Sequence, residues 1–241
     1  MKTELFPIIK FYGNVDSTNE IARAWLSSKK RDQNAVIVAE KQNFGKGRGI
    51  RQWYSPKGGL WFTMVFHDQI LPPSVTLFTG VIIHTILKER FSHIDFFLKW
   101  PNDILIVNKK VCGILTFTSK NATCVGVGIN CNLKNFPNNL SQLATSLYIE
   151  TGKKVKLKGL LSDLLTKFSS SINEFTTLGF MPFREYFESF HLLTGKKVAI
   201  QLADNTTIGE VKEVSNTGML VLNVENGIKE FFTADKIDIL S

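Results

Sequence analysis

Four strand-like segments follow one another between Asp95 and Asn130, at residues 96–99, 103–107, 112–118 and 124–130, with only three to five residues between neighbours. Each is apolar and carries β-branched or aromatic side chains, as a buried strand requires. A parallel crossover needs a dozen or more residues, so gaps this short make successive strands turn back on one another. Two further segments, 35–40 and 60–66, have the same character. Helical periodicity fills much of the rest. "DSTNEIARAWLSS" opens on Ser and Thr caps and repeats Ile21, Ala24 and Trp25, while "PSVTLFTGVIIHTILKERF" begins on proline and ends on cations. "KGLLSDLLTKFSSSINEF" and "PFREYFESF" follow the strands. The pattern predicts an α+β fold, with a mixed or antiparallel sheet and helices on one face.

At Gly195 the texture changes to short strands broken by "ADNTT", "SNTG" and "ENG". That spacing predicts a small β-barrel over residues 195–241, packed on a larger domain at 1–194. A chain of 241 residues, 44% hydrophobic and 21% charged, can bury a core of this size and is neither disordered nor fibrous. "MKTELFPIIKFYGNVDST" has no apolar run before a small-residue cleavage site, so no signal peptide is expected. The longest apolar stretch, near "LFTGVIIHTILKERF", is broken by His84 and Thr85 and is too short to span a bilayer. Cys112, Cys124 and Cys131 form no C-x-x-C pair, which argues against a disulfide framework or zinc knuckle and fits a reducing cytoplasm. They read as small buried hydrophobes.

The formal charge of +8 is uneven: residues 195–241 are net −2, leaving +10 on the first 194. Two patches hold the excess. "KKVKLK", at 153–158, alternates charge with Val155 and Leu157 and reads as a strand edge guarded by lysines. The other runs from Lys41 to Gly59, with five glycines, five cations and no acid. Its "GKGRGIR" fits neither a Walker loop nor a dinucleotide fingerprint. Glycines there let backbone N–H groups approach an anion, and Lys46, Arg48 and Arg51 add donors for carboxylate or phosphate. In "LKWPNDILIVNKKVCGIL", Lys99, Asn102 and Asp103 interrupt apolar runs, and buried charges are paired or functional. Asn108, Lys109 and Lys110 read as a hairpin tip. "VGVGINCN" ends a glycine-spaced strand on Asn130 and Asn132. The four histidines lack metal spacing, His84 reads as a satisfied core residue, and no nucleophile elbow is present. An enzyme of this kind would work by positioning and charge neutralisation.

In order, "DSTN", "AEKQNFGKGRG", "RQWYSPKGGLWFT", "KWPNDI", "KKVCGIL", "GVGINCN" and "LATSL" resemble the biotin–protein ligases, the biotin–[acetyl-CoA-carboxylase] ligases, from about Val15 to the C-terminus. The chain looks like the short class that has no N-terminal DNA-binding domain. The resemblance implies a fold shared with class II aminoacyl-tRNA synthetases, and an SH3-like C-terminal barrel. It also implies activation of biotin by ATP and Mg²⁺ as biotinyl-5′-AMP, then transfer to a lysine of a biotin carboxyl carrier domain. Carried over position by position, Ser17, Thr18, Asn19, Gln42, Lys46, Gly47, Arg48, Lys110 and Gly113 would hold biotin. Arg48, Arg51, Trp53, Lys99, Asn102 and Asn130 would hold ATP. Lys110, Asp103 and Arg48 would be catalytic: Lys110 between the two reacting anions, Asp103 at the acceptor lysine. No side chain is assigned directly to the metal. No DNA or membrane partner is expected, and a homodimer is compatible with the family.

This chain departs from the family pattern at three positions. Lys46 stands where arginine is usual, Ile50 where glycine is usual, and Phe117 where an acid is usual. A lipoate–protein ligase or octanoyltransferase would share the fold, but the R-R-x-x-G-G-G stretch and active cysteine are missing. A nucleic-acid-binding module would want a basic barrel with interleaved aromatics, and this one is acidic. An inactive biotin-binding paralogue is opposed by the presence of both Lys110 and Asp103.

Overall fold

The structure, a computed structural model, describes residues 2–27 and 32–240. The end of the first helical segment at Ser28 and the termini Met1 and Ser241 lie outside the described residues. Seven strands, β1 (Ile8–Val15), β2 (Ala35–Gln42), β3 (Leu60–Phe66), β4 (Phe96–Lys99), β5 (Asp103–Ile106), β6 (Lys109–Ser119) and β7 (Ala122–Ile129), form one sheet in the order β1-β2-β3-β7-β6-β5-β4. The β1–β2 pair is parallel and every other pair antiparallel, so the sheet is mixed as expected. Sequence patterning missed β1 because it is an edge strand, largely exposed and short of apolar alternation. The parallel pairing is made through α1 (Thr18–Leu26), whose N-cap Ser17 accepts from the Asn19 N–H at 3.2 Å.

Alternate residues of the strands divide the sheet into two faces. Val36, Val38, Phe62, Met64, Phe66, Val125 and Val127 face the main core beneath α2 (Val75–Arg90) and α4 (Leu157–Leu178), with α5 (Met181–Ser189) beside them. Phe78, at the centre of that layer, stacks on Phe175 at 4.6 Å and meets Phe168 and Phe183 edge-on. The opposite face carries Ala35, Ile37, Val65 and Cys124 against Ala22 and Trp25 of α1. The large helices thus share one face, and α1 packs on the other. Beside it that face stays open, and the open part holds the site described below.

Between these elements, "KKVKLK" is not a strand edge. Lys153 to Lys156 form an extended lead-in to α4, and the missing strand partner is replaced by the Asn132 amide, which accepts from Val155 N at 2.7 Å and donates to Val155 O at 3.0 Å. The short helix α3 (Leu147–Thr151) is capped by Ser146. None of the described helices is long and apolar enough to cross a membrane.

The C-terminal unit is an antiparallel five-stranded sheet of β8 (Lys197–Leu202), β9 (Asn205–Val214), β10 (Leu220–Val224), β11 (Gly227–Phe231) and β12 (Lys236–Ile239), ordered β11-β10-β9-β8-β12. Its Val198, Ile200, Val211, Leu220 and Leu222 belong to the same apolar cluster as the helices under the large sheet. Polar ties cross the junction as well: the Trp100 indole donates to Gly218 O at 3.0 Å, and Arg184 Nε donates to Val214 O at 2.7 Å.

Two buried histidines help to hold this assembly. The Phe96 carbonyl can only accept, so His84 Nε2 carries the proton and donates at 2.9 Å, leaving Nδ1 to accept from the Tyr186 hydroxyl at 3.0 Å. Burial pushes His84 down to about 4 and His191 down to about 3. Both pKa values are depressed in the folded chain, so the stability they contribute is complete above the ordinary value of 6.5 and is lost as pH falls towards them. Thermal unfolding should show a midpoint that drops on acidification between pH 6.5 and 4, and His84→Gln should flatten part of that drop.

Candidate active site

The open sheet face carries a cavity of about 310 Å³. Its floor is made by glycines. Gly113 of β6 and Gly128 of β7 are register partners, and the Trp53 indole lies on both; a Cβ at Gly128 would sit 2.3 Å from Trp53 Nε1, and one at Gly113 2.9 Å from its Cζ3. Gly126 gives the same clearance to Asn19, whose Oδ1 would be 2.4 Å from an added Cβ. The glycine spacing of "GVGIN" is therefore required by close approach of side chains, not by a bulge.

A polar network forms one end. Gln42 Oε1 accepts from Thr18 N at 2.7 Å and lies 3.1 Å from Thr18 Oγ1, while its Nε2 donates to Ser55 Oγ at 2.9 Å. Thr63 Oγ1, on β3, sits 2.9 Å from Thr18 Oγ1 and 2.7 Å from Asn19 Oδ1. Thr63 was not legible from sequence, because a threonine inside the apolar run 60–66 carries no signal until its neighbours are known. Another part of the lining is apolar: Tyr54 meets Phe136 at 6.3 Å between centroids, and Leu140 and Leu143 line the cavity too. This segment too was missed, since "LKNFPNNLSQL" has no periodicity that marks a lining.

A β-bulge sets the central charge pair. Leu105 pairs with Lys110 and Ile104 with Cys112, so Val111 is an extra residue in β6. Val111 and Cys112 both turn into the main core, and Lys110 emerges on the cavity face beside Asp103. Its Nζ is 2.6 Å from Asp103 Oδ1 and 5.0 Å from the Trp53 ring centroid. Lys110 is thus a strand residue; the hairpin tip is Val107 and Asn108, with Val107 at φ 55°. Asn102 pins the same hairpin, accepting from Ile114 N at 3.0 Å and donating to Ile114 O at 2.9 Å. Asn130 Nδ2 donates to Thr145 O at 2.9 Å, but its buried Oδ1 and the buried Trp53 Nε1 have no hydrogen-bond partner among the described residues. Unpaired buried polar atoms at a cavity are a ligand's natural contacts.

The cationic loop closes one side as an ordered hairpin. Gln42 bridges Ser55, Lys46 bridges Gln52, and Gly47 N donates to Arg51 O at 2.8 Å, with Gly49 at φ 59° in the turn. Arg51 reaches the C-terminal sheet, its Nη2 donating to Asp235 O at 2.7 Å. Burial lowers the pKa of Arg48, opposed by Asp103 and Asp235 and reinforced by Arg51.

Thr18, Asn19, Gln42, Lys46, Gly47, Arg48, Arg51, Trp53, Asn102, Asp103, Lys110, Gly113 and Asn130 all line this one cavity. Ser17 does not; it is 1% exposed and serves as the cap that aims Thr18 and Asn19. Lys99 also stands outside the lining. Of the atypical positions, Lys46 lines the cavity, Ile50 is fully exposed at the loop tip, and Phe117 packs beside α1 under the Arg23 guanidinium.

A profile of the Biotin/lipoate A/B protein ligase family matches residues 12–134. The bifunctional ligase/repressor BirA of Bacillus spizizenii is 31% identical over 98% of this chain and 75% of its own length. A biotin–[acetyl-CoA-carboxylase] ligase of Paracoccus denitrificans is 27% identical, over 86% of this chain and 90% of that protein. Among solved structures, the biotin protein ligase from Aquifex aeolicus in complex with biotin and ATP superposes with a TM-score of 0.87 at 32% identity, over 98% of this chain and 100% of that one. The open-faced mixed sheet, the glycine floor and the Lys110–Asp103 pair therefore sit in a chain that belongs to the Biotin/lipoate A/B protein ligase family, as a biotin protein ligase.

Proposed function

We propose that the protein activates biotin with ATP as biotinyl-5′-adenylate and transfers the biotinyl group to a lysine of a biotin carboxyl carrier domain. The observation that carries this reading is the Lys110–Asp103 pair in a cavity that, among the described residues, is lined by neither serine nor cysteine. Both nucleophiles then belong to the substrates. The ureido ring of biotin suits the Thr18, Asn19 and Gln42 end, where donors and acceptors are already oriented. Its carboxylate is directed towards Lys110.

In the first step a carboxylate oxygen attacks the α-phosphorus, the α–β bridging bond breaks, and pyrophosphate leaves. Lys110 and Arg48 offset the charge gathered by two approaching anions. Arg51 and the turn at Gly47 to Gly49 suit the triphosphate, and the hairpin shields the mixed anhydride from water. Among the described residues no three His, Cys, Asp or Glu side chains cluster to hold a metal. Mg²⁺ would enter with the nucleotide substrate, whose phosphate oxygens are ordinary ligands for it and whose charge it would help to neutralise. In the second step the acceptor amine, oriented by Asp103 and freed of its extra proton, attacks the acyl carbon, and AMP leaves with the bonding pair.

The test is intact-mass analysis of enzyme and carrier domain after incubation with ATP, Mg²⁺ and either biotin or lipoate. A biotin-sized increment on the carrier supports the reading; transfer of lipoate instead, or no transfer, overturns it. The floor makes its own prediction. Gly128→Ala must push the Trp53 ring away, and is expected to raise the KM for ATP about tenfold or more. A shift in tryptophan emission that vanishes in a Trp53→Phe background would tie the loss to that ring.

A further inference from the structure

Lys99 is the one assigned nucleotide ligand that stands outside the cavity. It ends β4 as the register partner of Asp103, on the face opposite Phe96 and Leu98, which are in the core. It is half-buried, and among the described residues it forms no ion pair, while Asp103 is paired with Lys110. The charges that face it come from four elements: Asp103 of β5, Lys110 of β6, Asp238 of β12, and Lys196 just before β8. Asp238 is itself paired with Lys236 at 2.6 Å. His191, which accepts from Trp100 N, is held neutral by burial. Arg48 faces Asp103 from the loop. One carboxylate is thus surrounded by three cations, and the acceptor amine must arrive beside it.

We propose that Lys99 is a positioning residue of the acyl-transfer step: its ammonium, held beside Asp103 but outside the substrate cavity, disfavours the charged form of the incoming acceptor amine. A nearby cation lowers the pKa of an amine, which raises the fraction able to attack. The proton lost goes to Asp103 or solvent, the amine nitrogen bonds to the acyl carbon, and AMP departs. This inference rests on the ligase reading and assigns Lys99 to the acceptor, not to ATP.

The experiment uses the full chain, preformed biotinyl-adenylate and a carrier domain, with single-turnover transfer measured across pH. Lys99→Met is expected to leave the KM for ATP and the adenylate yield unchanged. Transfer at pH 7 should slow by about 3- to 10-fold and recover at alkaline pH, a rise of roughly half to one unit in the apparent pKa of the profile. Lys99→Arg should restore the wild-type profile. Asp238→Asn, on the exposed β12, removes an opposing charge and should move the profile the other way. Hydroxylamine, an amine uncharged at neutral pH, should react with bound adenylate equally in all four proteins. A raised KM for ATP, or a loss equal at every pH, overturns the proposal. Failure of wild-type enzyme to form adenylate would instead overturn the ligase reading on which it rests.

Discussion

Lys110→Ala should reduce biotinyl-adenylate formation by about 10²–10³-fold. In the proposed reaction two anions, a carboxylate and an α-phosphate, must meet in a half-buried cavity. At about 4 Å and an effective dielectric near 20, a unit charge interaction is worth roughly 4 kcal/mol, which corresponds to about a thousandfold in rate. Lys110 is the cation placed to supply it, aimed by the Val111 bulge and steadied between Asp103 and the Trp53 ring. Pyrophosphate release measured with saturating substrates checks the prediction. Lys110→Arg should recover only part of the rate, because a planar fork cannot occupy the same position between Asp103 and Trp53. Unchanged pyrophosphate release in Lys110→Ala would remove Lys110 from the chemistry.

Asp103→Asn should separate the half-reactions in the opposite sense. The amide keeps the shape and one acceptor oxygen but cannot take a proton, so transfer from preformed adenylate should fall by about 10²–10⁴-fold while adenylate still forms. Single-turnover transfer and pyrophosphate release, measured on the same preparation, give both numbers. Equal loss in both would mean that Asp103 acts mainly by holding Lys110 in place. The structure makes either role available, since the carboxylate lines the cavity and is also the counter-charge of Lys110.

Much of this site could be read from the chain because its chemistry is local. The cations of 41–59, the "KWPND" turn and the glycines of "GVGIN" keep their identity whatever surrounds them, while Thr18, Asn19, Gln42 and Gly113, which line the same cavity, were supplied by the family resemblance and not by local chemistry. Short gaps between strands likewise dictate antiparallel pairing through the chain's own reach. What the sequence could not decide depends on partners distant in the chain. β1 is a strand only because β2 stands beside it. Thr63 supports the site only because α1 lays Thr18 and Asn19 against it. Lys99 shares its motif with Asn102 and Asp103, and the family resemblance gives it the same claim on the nucleotide as Asn102. Its register places it opposite Asp103 but outside the cavity, with the C-terminal sheet's Asp238 among its charged neighbours. Which residue types can bind anions is a property of the side chains themselves. Which face of the sheet receives them was settled only by one extra residue at Val111, which turned Lys110 out of the core and towards Asp103.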